Sequence, residues 1–170
     1  MFRSADHALR FAFELEHLPI VARVRTMVNA RAGAPRGLTK NDLHAQAALI
    51  RGRIECFPPL ERACLKASFG FGLDRHTGTQ ALATWMISQQ RIGAHRRWAY
   101  LRMVEQFFGR SSVGGINEIR GILKCRKMDA LEKRKAVWQC LDGLHERAVG
   151  LAQREFVKAG LVPIPVGVSA

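Results

Sequence analysis

Acidic side chains are scarce in this 170-residue chain: 14 Asp and Glu stand against 27 Lys and Arg, for a net charge of +13 and a pI near 10.8. Long apolar runs are missing too. Charges interrupt every stretch well short of the ~18–20 residues that a membrane span needs, so no membrane partner is expected. The opening Met1-Phe2-Arg3-Ser4-Ala5-Asp6-His7 lacks the apolar core of an export signal, and a cytoplasmic protein is the expectation. Cysteines are few: Cys56, Cys64, Cys125 and Cys140 have 7, 60 and 14 residues between them. That spacing fits neither a zinc ribbon nor a dense disulfide framework, and reduced, buried thiols are expected.

Catalytic signatures are equally absent. The chain has no His-Glu-x-x-His, no P-loop, no Gly-x-Ser-x-Gly and no glycine-rich turn between a strand and a helix. Its six histidines, His7, His17, His44, His76, His95 and His145, are dispersed, and none has another at i+3 or i+4 as a helical metal face requires. His145-Glu146 lacks that second histidine. A protein without enzymatic activity, metal or cofactor is therefore expected. No segment alternates polar and apolar residues as a strand would, so the fold class is all-α: a single compact domain over 1–170, of about six to seven helices.

What the chain does have is positive charge in blocks. Residues 19–40 carry Arg23, Arg25, Arg31, Arg36 and Lys40 with no acid; residues 91–104 carry Arg91, Arg96, Arg97 and Arg102 with none. Residues 120–135 carry Arg120, Lys124, Arg126, Lys127, Lys133, Arg134 and Lys135 against Asp129 and Glu132. These three segments sum to +14, and the remaining 118 residues to −1. Charge for solubility alone would be spread; charge in blocks on a neutral body points to a polyanion.

The helices follow from apolar spacing and breakers. Ser4 caps a first helix that runs through Ala8, Leu9, Phe11, Ala12, Phe13 and Leu15 to the pre-proline Leu18. Residues 19–38 read as a basic loop with one helical turn near Arg23–Asn29. Thr39 and Asp42 resemble a capping box, and Leu43, Ala47, Ile50 and Ile54 give a helix over about 40–56. Pro58-Pro59 restarts a helix that ends at Phe69-Gly70. Thr79 leads into Ala81–Gln90; after Ile92-Gly93, Trp98, Leu101, Val104 and Phe108 line a helix that Gly109 stops. Ile116–Lys124, a turn at Cys125–Met128 and a helix opening at Asp129, boxed by Glu132, come next. The last helix carries Val137, Leu141, Leu144, Ala148 and Leu151 towards Lys158, with Gly143 a candidate kink or split, and a loose tail covers 162–170.

Residues 115–142 thus spell a helix–turn–helix. In DNA readers of this kind the second helix enters the major groove. With Val137, Leu141 and Leu144 inward, Glu132, Lys135 and Gln139 turn outward, where they can bond cytosine, guanine and adenine edges. Arg126, Lys127, Lys133 and Arg134 would hold phosphates. A second surface, Arg91, His95, Arg96, Arg97 and Arg102, is the candidate for phosphate or RNA polymerase contact, with Trp85, Met86, Trp98 and Leu101 expected in the core.

Phe57-Pro58-Pro59-Leu60-Glu61-Arg62-Ala63-Cys64-Leu65-Lys66-Ala67-Ser68-Phe69-Gly70 resembles the opening of sigma-factor region 4, and 57–108 are the sigma-like helices. More of the chain is similar to the phage late-gene antitermination protein Q family, in its zinc-free, phage 21-like branch. The residues concerned are Arg3–Phe13, Pro19-Ile20, the basic loop, Asn41–Ala48, Phe69-Gly70, Leu141–Ala148 and Ala159-Gly160-Leu161. The cysteine spacing departs from the zinc-binding lambda-like branch, so no metal carries over. The resemblance implies a factor that binds double-stranded DNA near a promoter and loads onto paused RNA polymerase, with or without its sigma factor. It then suppresses termination by narrowing the RNA exit channel. The 115–142 unit would read DNA, and Arg23, Arg25, Arg31 and Arg36 would line the channel beside nascent RNA. The same residues also admit a conventional dimeric helix–turn–helix repressor or activator, or a basic helical interaction module.

Overall fold

The computed structural model describes residues 2–17, 40–90, 96–109 and 115–164. Among them are seven helices and no strand: α1 (Ala5–His17), α2 (Lys40–Glu55), α3 (Pro59–Phe69), α4 (Gly72–Gln90), α5 (Arg97–Phe107), α6 (Ile116–Leu123) and α7 (Lys127–Lys158). The all-α expectation holds. The basic loop 19–38, its helical turn, Thr39 of the capping box and the Ile92-Gly93 break lie outside the described residues, as do 165–170.

Local chemistry sets most boundaries. Ser4 Oγ accepts the His7 N–H at 3.2 Å, capping α1 as its sequence suggests. Leu43, Ala47, Ile50 and Ile54 are all buried, so the 4-3-4 stripe of α2 faces the core. Pro59 opens α3 behind Pro58, where the missing N–H costs nothing. At the other end Gly70 is extended rather than left-handed. There Arg75 donates to the Ala67 and Ser68 carbonyls, both at 3.1 Å, so a cationic side chain satisfies groups the helix leaves open.

Four boundaries depart from expectation. α4 begins at Gly72, not after Thr79. Its first half is polar and glycine-containing, and it forms because Gly78 lets the backbones of α3 and α4 meet. A Cβ at 78 would lie 2.6 Å from the Ala63 oxygen and 2.7 Å from the Ala67 nitrogen. Thr79 is buried, its hydroxyl donating back towards the Arg75 and His76 carbonyls at 2.9 Å. α7 begins at Lys127 with Arg126 as its cap; Asp129 sits at the third helical position and accepts the Arg126 N–H at 3.3 Å. Glu132 plays no part in that cap, because the carboxylate one turn earlier already reaches the open N–H. Gly143 does not split α7, which is about 48 Å long at 1.5 Å per residue. Finally, Val162 is buried, so the fold extends into the segment expected to be a tail.

α7 is the spine, packing on α1, α2, α3, α5 and α6. Its buried stripe is Ala130, Val137, Leu141, Leu144, Ala148, Ala152 and Phe156; Ala152 is the innermost residue where Leu151 was expected. Partners are met in order along it. Trp138 Nε1 donates to the Met103 carbonyl at 3.0 Å, Arg147 lies 3.9 Å from Glu61, and Gln153 Oε1 accepts the Ala5 N–H at 2.9 Å. Beyond its end, the Leu161 carbonyl accepts the Phe2 N–H at 2.8 Å. α1 is thereby tied to the last described residues.

The thiols do not all reach the core. Cys64 is buried, Cys125 half-buried, and Cys56 and Cys140 are exposed, all four free. Burial pushes the Cys64 thiol up to about 12, outweighing its Ser68 hydrogen bond. At pH 8 a thiol reagent is expected to modify Cys56 and Cys140 at once and Cys64 only on unfolding, counted by mass spectrometry. Burial of Cys64 favours the fold in full below the ordinary thiol pKa of 9.0, and the contribution is lost as pH rises towards 12.

Candidate nucleic-acid interface

α6 and α7 are joined by three residues, Lys124, Cys125 and Arg126. Lys124 closes α6 in the left-handed conformation, φ 50°, and its N–H bonds the Arg120 carbonyl. A lysine there costs about 1 kcal/mol that glycine would not. The turn then hands the chain, extended at Arg126, to the first turn of α7. α6 buries Ile119 and Leu123, which leaves the other side of the hairpin to solvent.

The electrostatics of that side are set by what lies elsewhere. Several acids of the body are held in ion pairs, Asp6 with Arg10, Asp74 with Arg51, Glu55 with Lys66 and Arg62, Glu105 and Glu118 with Arg102, Glu155 with Lys158, whereas Glu14, Asp142 and Glu146 are exposed without one among the described residues. Arg120, Lys124, Arg126, Lys127, Lys133 and Lys135 are exposed and have no ion pair among the described residues. Asp129, turned to the Arg126 backbone, and Glu132 are the acids interspersed with them. Arg3, Arg53, Arg96, Arg97 and Arg154 are also exposed without an ion pair among the described residues, but they belong to other segments, and the hairpin holds six such cations together.

The sequence-predicted residues fall as follows. Glu132, Lys135 and Gln139 are exposed on one face of α7, three to four residues apart. With Met128, Leu131 and Trp138 they line an open groove of about 490 Å³. Arg126, Lys127 and Lys133 are exposed nearby, whereas Arg134 is half-buried, its guanidinium 4.8 Å over the Trp138 ring. Met128, 64% exposed, and Trp138 were not singled out from sequence; residue 138 sits beside the apolar stripe at 137 and 141, and no spacing rule marks it.

The second surface divides. Arg96 and Arg97 are exposed at the start of α5. Arg102 instead clasps α6 to α5, at 3.0 Å from Glu118 and 2.8 Å from Glu105. Trp98, expected in the core, is 64% exposed; Met86 is buried, and Trp85 and Leu101 are half-buried. α5 buries Ala99, Tyr100, Met103 and Val104, a face that leaves residue 98 outside. Arg91 and His95 lie outside the described residues, as do Arg23, Arg25, Arg31 and Arg36.

The sigma-like residues do internal work. Arg62 donates to the Glu55 carbonyl at 2.8 Å, Lys66 reaches the Glu55 carboxylate at 2.6 Å, and Glu61 faces Arg147. Ser68 bridges α3 to α7: its hydroxyl donates to the Cys64 carbonyl at 2.9 Å and lies 3.1 Å from His145 Nδ1. With its proton on that carbonyl, Ser68 offers a lone pair to His145 Nδ1, which suits a donor at that ring nitrogen. Among the described residues no group of His, Cys, Asp or Glu is placed to hold a metal ion. No helix of the described residues is long and apolar enough to cross a membrane. Compared with known proteins, the chain matches no family model and no curated sequence.

Proposed function

We propose that the protein is a transcription antitermination factor that binds duplex DNA through the α6–turn–α7 hairpin and acts on RNA polymerase without catalysis. One observation carries the DNA-binding part: six exposed cations without an ion pair among the described residues, Arg120, Lys124, Arg126, Lys127, Lys133 and Lys135, gather on one hairpin with only Asp129 and Glu132 interspersed. On this reading the cations meet phosphates, and Glu132, Lys135 and Gln139 meet base edges. The left-handed Lys124 supports it, since a cation kept where glycine is easier points to a use for the charge. The polymerase part rests on the Q-family and sigma region 4 resemblances. Double-stranded DNA, RNA polymerase and the emerging transcript are the partners, and a cytoplasmic location goes with them.

Single-round transcription with purified RNA polymerase tests the whole reading, on a template joining the protein's own upstream promoter region to a strong intrinsic terminator. Added protein is expected to raise readthrough on that template and leave initiation unchanged. Altered initiation with unchanged termination would make it an ordinary promoter regulator.

A further inference from the structure

Trp98 has no role in the core or in the hairpin. Its side chain is 64% exposed at the start of α5, and its indole N–H has no partner among the described residues. Arg96 and Arg97 precede it, both exposed and without an ion pair among the described residues. One turn along the helix, Leu101 is half-buried and Arg102 is already neutralised by Glu105 and Glu118. The exposed aromatic thus directly follows two exposed cations, unpaired among the described residues, at the start of α5.

That setting discriminates among occupants. An apolar protein surface calls for a contiguous patch, and one exposed ring that follows two exposed arginines in the chain does not supply it. Duplex DNA offers phosphates but no free base face, because its bases are stacked on one another. A single strand offers both at once: a base to lie on the indole and flanking phosphates for the arginines. We infer that Trp98, with Arg96 and Arg97, is a stacking site for one base of single-stranded RNA. The choice of RNA over DNA rests on the proposed function, in which the single strand outside the polymerase is the transcript.

The test is fluorescence anisotropy of the full chain with a labelled 12-nucleotide oligo-U, in parallel with oligo-dU and with the promoter-region duplex. Trp98→Ala is expected to weaken oligo-U binding about tenfold, and Trp98→Phe to retain most of it. Removing both charges, Arg96→Gln with Arg97→Gln, is expected to flatten the salt slope by about 1.4. Trp98→Ala and Trp98→Phe should leave duplex affinity unchanged. Unchanged oligo-U affinity in Trp98→Ala, or no oligo-U binding by the parent, would overturn the inference while leaving the hairpin reading intact. Oligo-dU is expected to depend on Trp98 in the same way, because stacking and phosphate contacts do not read the 2′-hydroxyl. Loss of polymerase binding in Trp98→Ala with RNA affinity unchanged would overturn the inference in favour of a protein contact. Trp98-dependent oligo-U binding by a protein that ignores the duplex would instead sustain this site and sink the hairpin reading.

Discussion

Replacing Lys124, Arg126 and Lys127 together by glutamine is expected to weaken binding to every duplex alike, by about a hundredfold near physiological salt. Each phosphate contact releases about 0.9 counterion, so three lost contacts should also flatten the log–log salt slope by about 2.7. The three side chains are exposed and unpaired among the described residues, so melting should move by no more than about 0.5 kcal/mol in either direction. Lys124→Gly separates charge from fold more sharply. Relief of the left-handed strain should stabilise the protein by about 1 kcal/mol, while DNA binding falls for want of one cation. Lys135→Ala and Gln139→Ala should behave differently, relaxing preference among sequences by ~1–3 kcal/mol. Titrations against two duplexes at several salt concentrations distinguish these cases. Sequence-blind losses from all the changes would remove the base-reading role from the 132–139 face.

The largest effect on stability is expected at Gly78. In Gly78→Ala the new methyl would press on the Ala63 oxygen, the Ala67 nitrogen and, at 3.1 Å, the Lys66 carbonyl carbon. These are backbone atoms of α3 and cannot rotate away, so the two helices must separate. A loss of about 3 kcal/mol or more follows, read as a fall in Tm of roughly 6–12 °C for a chain of this size. Gly143→Ala is the control. It lies inside α7 with nothing within 4 Å of the added Cβ and should gain about 1 kcal/mol from helix propensity alone. If the two substitutions moved Tm alike, the close crossing of α3 and α4 would not be what holds that pair.

Gly78 also shows where sequence reasoning stops. The stripe Leu43, Ala47, Ile50 and Ile54 declares α2 because large apolar residues recur at the helical period. The first half of α4 packs instead through a missing side chain and a buried threonine, and neither registers as hydrophobic period. The hairpin at 116–126 was legible, since a short amphipathic helix, a turn and a long one leave clear marks. Its cap lies three residues earlier than the sequence suggests, because an acid serves a helix start from the third position as well as from the cap. For the candidate interface, composition located the charge but not its compensation. Nothing in the chain order says that Arg102 is bound by Glu105 and Glu118 while Arg126 and Lys127 are not, for those pairings depend on how helices cross. Trp98 is the converse: an aromatic at helical spacing reads as core until the face of α5 that is buried is known.

The bond from Ala5 to Gln153 spans 148 residues, and that separation has a consequence during synthesis. At ~5–20 residues per second a ribosome needs roughly 7–30 s to reach the partner of the first helix. Over that interval Leu9 and Phe13 have α2 and α3 for shelter but not the helix that completes their burial. The domain therefore closes late, on its final helix, and its earliest-made apolar face is the part most exposed to chaperones while the chain is still being translated.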